Sequence, residues 1–161
     1  MHLKIREMRK ENLVGISTKD IAIVIIQFLL IICHFFDIKY PIYSFESSSL
    51  IINLLAILII FLGSIGLIIS LKELGLNTSP FPKPRRKSNL ITSGIYSKLR
   101  HPMYYSLLTI SFGIFLKRLF IYNLILTFLL WILILIKIKT EEYYLIKKYP
   151  NYNIYKKSVK Y

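Results

Sequence analysis

Residues 50–71 read LIINLLAILIIFLGSIGLIISL, a run without one charged side chain. As a helix rising ~1.5 Å per residue it is about 33 Å long, enough to cross a hydrocarbon core of roughly 30 Å. Three further apolar runs surround it, at 21–36, 103–116 and 119–136, the last two parted only by Lys117-Arg118. The 119–136 run covers about 27 Å and the 103–116 run only about 21 Å, so the latter tilts little, thins the bilayer or turns back early. Together they read as a tight helical hairpin. The expected fold is all-α and integral to a membrane, with about four transmembrane helices and a C-terminal helical hairpin, in one domain over 1–161. Residues 1–71 supply its N-terminal anchor helices.

Composition fits that reading. The 161 residues are 55% hydrophobic yet carry a formal charge of +14, with a mean hydropathy of +0.54. A disordered tail is excluded, because such segments lack this much Ile, Leu and aromatic content. A disulfide scaffold is excluded because Cys33 is the lone cysteine. The charge sits outside the apolar runs. Of 22 Lys and Arg, all but Lys39, Lys117 and Arg118 fall in 1–20, 72–102 and 137–161. The positive-inside rule then places both termini and the 72–102 loop in the cytoplasm of a multi-pass protein. Topology accounts for the charge, so no nucleic-acid partner is expected. The first run, followed by Asp37-Ile38-Lys39-Tyr40-Pro41 without a small-residue cleavage site, is an anchor and not a signal peptide. Gly63 with Gly66, and Thr109 with Gly113, suit close helix contacts.

Two polar pieces remain, 72–102 and 137–161, each too short to bury a core of its own. Pro80, Pro82 and Pro84 force extended backbone. Gly94 marks a turn, and Pro102 sits where a helix tolerates proline, in its first turn. Arg100 and His101 thus flank a helix N-terminus at the water–lipid boundary, where free N–H groups and the dipole favour anions. An interfacial arginine also snorkels to headgroups with no further role. Glu141 and Glu142 stand where the last helix leaves the bilayer. Adjacent residues point about 100° apart on a helix, so one is expected to turn inward, towards Arg100 or a cationic ligand, with the other solvated. Ordinary pairing with a nearby lysine is the simpler alternative. His34 and Cys33, side by side, point in different directions, and three histidines with one cysteine leave a metal site short of ligands. Asn123 is expected to hydrogen-bond across helices.

Taken in order, Leu90-Ile91-Thr92-Ser93-Gly94-Ile95-Tyr96, Arg100-His101-Pro102-Met103-Tyr104, Gly113, Glu141-Glu142-Tyr143-Tyr144-Leu145 and Tyr149-Pro150-Asn151-Tyr152 with Tyr155 resemble the isoprenylcysteine carboxyl methyltransferase family and the wider group that includes phospholipid N-methyltransferases. The resemblance covers about 75–159 and makes 72–161 the catalytic core. It implies an S-adenosylmethionine-dependent methyltransferase whose cofactor is held between the cytoplasmic loop and the last helix. No Gly-x-Gly-x-x-Gly loop is present, so a Rossmann-type site is not expected.

By that resemblance the cofactor contacts fall on Leu90 and Ile91 through their backbone, Tyr96, His101, Pro102, Tyr104, and Glu141 or Glu142. A glutamate takes the ammonium or ribose hydroxyls, Tyr96 or Tyr104 faces the sulfonium or adenine, and Arg100 or His101 meets the carboxylate. Arg100 and His101 are the candidate catalytic residues. Lys137 falls where prenylcysteine-methylating members carry a substrate-binding arginine; it is a point charge in place of a bidentate fork. The acceptor is expected to be a lipophilic carboxyl, thiol or amine compound drawn from the bilayer. A phospholipid N-methyltransferase is the alternative within the group, and a non-catalytic membrane subunit or lipid-binding protein the alternative outside it.

Overall fold

A computed structural model describes residues 16–36 and 49–159. The basic stretch with Lys4, Arg6, Arg9 and Lys10, and the Asp37-to-Pro41 segment, lie outside the described residues. Five α-helices make up the described fold: α1 (Thr18–Cys33), α2 (Leu50–Leu74), α3 (Pro102–Arg118), α4 (Ile121–Lys148) and a short α5 (Tyr152–Ser158). No strand occurs among the described residues.

Two stretches are long and apolar enough to cross a membrane, Leu50–Asn77 and Ile121–Lys148. With 16 and 17 residues, α1 and α3 extend only about 24 and 26 Å. The exposed surface is apolar: Ile51, Leu54 and Phe61 on α2 and Phe128 and Trp131 on α4 all face outward. Large contiguous apolar exposure of this kind marks a lipid-facing surface.

Small residues set the closest helix contact. Ala56, Gly63 and Ser70, seven residues apart, are the buried positions of α2. A Cβ on Gly63 would lie 2.8 Å from Ile110 Cγ1, and one on Gly113 would lie 2.6 Å from Ile60 Cγ1 and 3.2 Å from the Ala56 carbonyl oxygen. So α2 and α3 touch nearly backbone to backbone, as small residues permit in lipid. The Thr109 hydroxyl donates to Tyr105 O in its own helix.

The hairpin is tight. The α3 helix ends at Leu119, whose left-handed backbone (φ 53) reverses the chain, and α4 starts two residues on. At 28 residues α4 is about 42 Å long, so roughly 12 Å of it extends beyond a hydrocarbon core. Tyr104, Leu130 and Ile134 form the buried centre between α3 and α4, with Leu30 and Ile31 of α1 packed on it.

Antiparallel to α4 lies α1, joined to it by polar side chains at seven-residue intervals. Asp20, Gln27 and His34 are all buried. Tyr144 Oη donates to Asp20 (3.2 Å), Lys137 Nζ to Gln27 Oε1 (2.5 Å), and His34 meets Ser111 Oγ at 2.7 Å and Thr127 Oγ1 at 3.4 Å. Asn123 departs from expectation: it is buried with neither amide atom hydrogen-bonded. It lies one turn from Thr127, whose hydroxyl pairs with Ser111 instead.

Candidate functional site

The loop between α2 and α3 carries one wall of the site. Three prolines keep 78–93 free of helix, because proline lacks the donor and clashes with the preceding turn. Gly94 then takes φ +59, and a Cβ there would collide with the Glu73 carboxylate, which accepts the Ile95 amide at 2.8 Å. The 3₁₀ turn Gly94–Ser97 that follows buries the Tyr96 ring. Tyr155 Oη donates to Tyr96 O (2.6 Å), binding the tail to this turn. Tyr152, Tyr155 and Val159 pack together with Leu90, Leu145 and Tyr149. The two polar pieces, neither able to fold alone, share this small core.

His101 is the N-cap of α3, and Pro102 opens the helix at N1. Its ring is buried and stacks on Tyr104, centroids 5.6 Å apart. As expected, one glutamate, Glu142, turns inward to Arg100, while Glu141 stays partly exposed but also takes a partner. Glu141 receives Tyr104 Oη at 2.5 Å and lies 3.9 Å from His101 Nδ1. Glu142 lies 3.4 Å from His101 Nε2 and 3.3 Å from Arg100 Nε, and accepts from Lys156 Nζ at 2.6 Å. Both carboxylates are engaged because the opposing wall is wide. The two nitrogens of one imidazole point to opposite sides, so His101 meets both members of a pair that diverges by about 100°.

Glu141 opens onto a cleft lined also by Leu90, Ile91, Tyr96, Arg100 and Tyr152. It encloses about 80 Å³, less than the ~300–1,000 Å³ typical of small-molecule sites. His101, Pro102, Tyr104 and Glu142 form the layer behind Glu141 and Arg100. Lys137 is apart from the cleft, buried against α1 on Gln27, with its ammonium 5.2 Å from the centre of the Tyr104 ring.

Burial pushes the Tyr96 and Tyr152 phenols well above their ordinary range, and Tyr155 up to about 12, so all three stay neutral donors at physiological pH. The Tyr152 hydroxyl is buried with no hydrogen-bond partner, and Arg100 Nε, though near Glu142, is aligned with none. Leu90 and Ile91 donate no backbone hydrogen bond among the described residues. The cleft with Glu141 at its edge is thus bordered by residues with unpartnered donors, Leu90, Ile91 and Tyr152, and by Arg100 in its ion pair with Glu142. Sequence reasoning gave no role in the site to Tyr149, Tyr152 or Lys156. Their regular tyrosine and lysine spacing in the tail carries no signal of which face meets the loop.

The family model described as phospholipid methyltransferase matches residues 51–152. The chain belongs to the phospholipid methyltransferase family. Neither a curated protein nor a solved structure shows significant similarity to it. In this phospholipid methyltransferase family member the matched stretch takes in α2, α3, α4 and every candidate residue from Leu90 to Glu142. It leaves out α1, and with it Asp20, Gln27 and His34.

Proposed function

We propose that this protein is an S-adenosylmethionine-dependent membrane methyltransferase acting on a lipophilic acceptor that reaches the site from the bilayer. Both termini and the 72–102 loop lie on the cytoplasmic side, and α1 and α3 cross with α2 and α4 despite their length. The observation that carries the reading is the cleft itself. It sets a partly exposed carboxylate, Glu141, near the Arg100 guanidinium among aromatic rings and unmet donors. A ligand with an ammonium, a carboxylate, a diol and an aromatic base fits that donor set.

When bound, S-adenosylmethionine supplies an electrophilic methyl group on a sulfonium. Glu141, oriented by Tyr104, accepts from the ammonium or ribose hydroxyls. Arg100 and the amides of Leu90 and Ile91 would face the anionic and base portions, with the Tyr96 and Tyr152 rings beside them and the unpartnered Tyr152 hydroxyl as a donor. The acceptor gains chiefly from alignment and from exclusion of water. A carboxylate or thiolate needs no base. An amine gives up a proton, and Glu141 is the carboxylate at the cleft placed to take it, with His101 3.9 Å behind.

A phospholipid amine is the acceptor that one observation favours: the lysine placed for an acceptor carboxylate is taken up by Gln27. The test is calorimetry of S-adenosylmethionine and S-adenosylhomocysteine on protein in nanodiscs, beside His101→Ala and Glu141→Ala. Binding lost in both variants, with normal membrane insertion, supports the reading. A well-folded wild-type protein that binds neither ligand overturns it in favour of a non-catalytic membrane subunit. Labelled methyl transfer to lipid extracts then separates amine from carboxyl or thiol acceptors.

A further inference from the structure

Lys137 and Glu141 stand four residues apart on α4, the separation at which opposite charges on a helix normally pair. Among the described residues they form no ion pair. The Lys137 ammonium donates to Gln27 Oε1 at 2.5 Å and rests over the Tyr104 face. Tyr104 Oη occupies Glu141 instead. Gln27 is buried on α1, outside the family-matched stretch, and one of three polar positions that fasten α1 to α4.

We propose that Gln27 is a positioning residue that holds the Lys137 ammonium off Glu141 and so keeps that carboxylate available to the cationic group of the ligand in the cleft. The inference rests on the cofactor reading above for the ligand, but not for the side-chain arrangement. A buried ammonium without an acceptor is strongly disfavoured. With Gln27 removed, Glu141 lies one turn along the same helix, at the spacing where Lys137 can pair with it. Rotation towards it displaces Tyr104 and neutralises the charge that the ligand's ammonium needs. A neutral amide suits the task, because it satisfies Lys137 without adding a second carboxylate that would compete for the ligand.

The test uses full-length protein in nanodiscs. Gln27→Leu, and Gln27→Asn as a polar variant too short to reach, should each lower S-adenosylmethionine affinity about tenfold or more, the worth of one charged hydrogen bond. Adding Lys137→Met to either should restore the affinity, and the ligand-free arm separates this from mere relief of a buried unpaired ammonium. Unchanged affinity in the single variants, or no restoration in the doubles, overturns the proposal. A ligand-free arm measures thermal coupling between Lys137→Met and Glu141→Gln, in wild-type and Gln27→Asn backgrounds. Coupling that grows when Gln27 is shortened supports the proposal, and equal coupling in the two backgrounds overturns it. If the wild-type protein binds no S-adenosylmethionine, the cofactor reading falls, and this thermal cycle still decides the role of Gln27.

Discussion

Glu142→Gln removes one charge and almost no volume from the point where three elements meet. The carboxylate accepts from Lys156 in α5 at 2.6 Å and lies 3.3 Å from Arg100 Nε and 3.4 Å from His101 Nε2 at the start of α3. Removing one partner of a fully buried pair costs roughly 3–5 kcal/mol, and an exposed pair is worth about 0.2–1 kcal/mol. The side chains of Glu142 and Arg100 are 12% and 17% exposed, but that of Lys156 is 39% exposed. The cost therefore falls between the two limits, at about 2 kcal/mol. It appears first as opening of the tail, because α5 is only seven residues long and Glu142 is its charged tie to α4. An increase of about 2 kcal/mol multiplies the open population roughly 30-fold. Limited trypsinolysis followed by mass spectrometry reads this at Lys148, Lys156 and Lys157, since cleavage tracks the open fraction when closing is fast. Cleavage within about twofold of wild type would refute the assignment of Glu142 as the tie between α3, α4 and α5.

Gly113→Leu should separate α2 from α3: the added side chain meets Ile60 N within 3.1 Å and the Ala56 carbonyl within 3.2 Å, backbone that cannot give way. The expected cost is about 1–3 kcal/mol or more, seen as a lower Tm and loss of the monodisperse peak on size exclusion, and an unchanged Tm would contradict the close contact. Gly94→Ala imposes a left-handed residue costing about 1–2 kcal/mol and displaces the Glu73 carboxylate that holds the Ile95 amide. Amide exchange at Ile95 and Tyr96 should accelerate accordingly, and unaltered protection would show that the turn does not depend on that glycine.

The membrane reading, the hairpin and the family were legible in the chain because they rest on local quantities. An uncharged run of 22 residues at 50–71 has few alternatives to a spanning helix. Pro102 at a helix start and the glycines at close contacts act through their own backbones. The ordered motifs from Leu90 to Tyr155 named the family with no knowledge of where the side chains point. The same local reading had one glutamate turn inward to Arg100, as Glu142 does, but missed that Tyr104 and His101 also engage Glu141. Helical divergence does separate them, but the width of the wall they face is a property of His101 and Arg100 on another helix.

What the tertiary structure decided is everything that depends on partners far apart in sequence. Gln27 lies 110 residues from Lys137 and Lys156 lies 14 from Glu142, and no periodicity announces which polar atoms will meet. Asp20, Gln27 and His34 repeat every seven residues in a helix that otherwise reads as an apolar anchor. Their meaning appears only once α4 is laid antiparallel against them. In lipid, an unmatched buried donor or acceptor has no water to fall back on. The helix pairing therefore fixes which residues satisfy one another, and it leaves Glu141 in place at the open cleft.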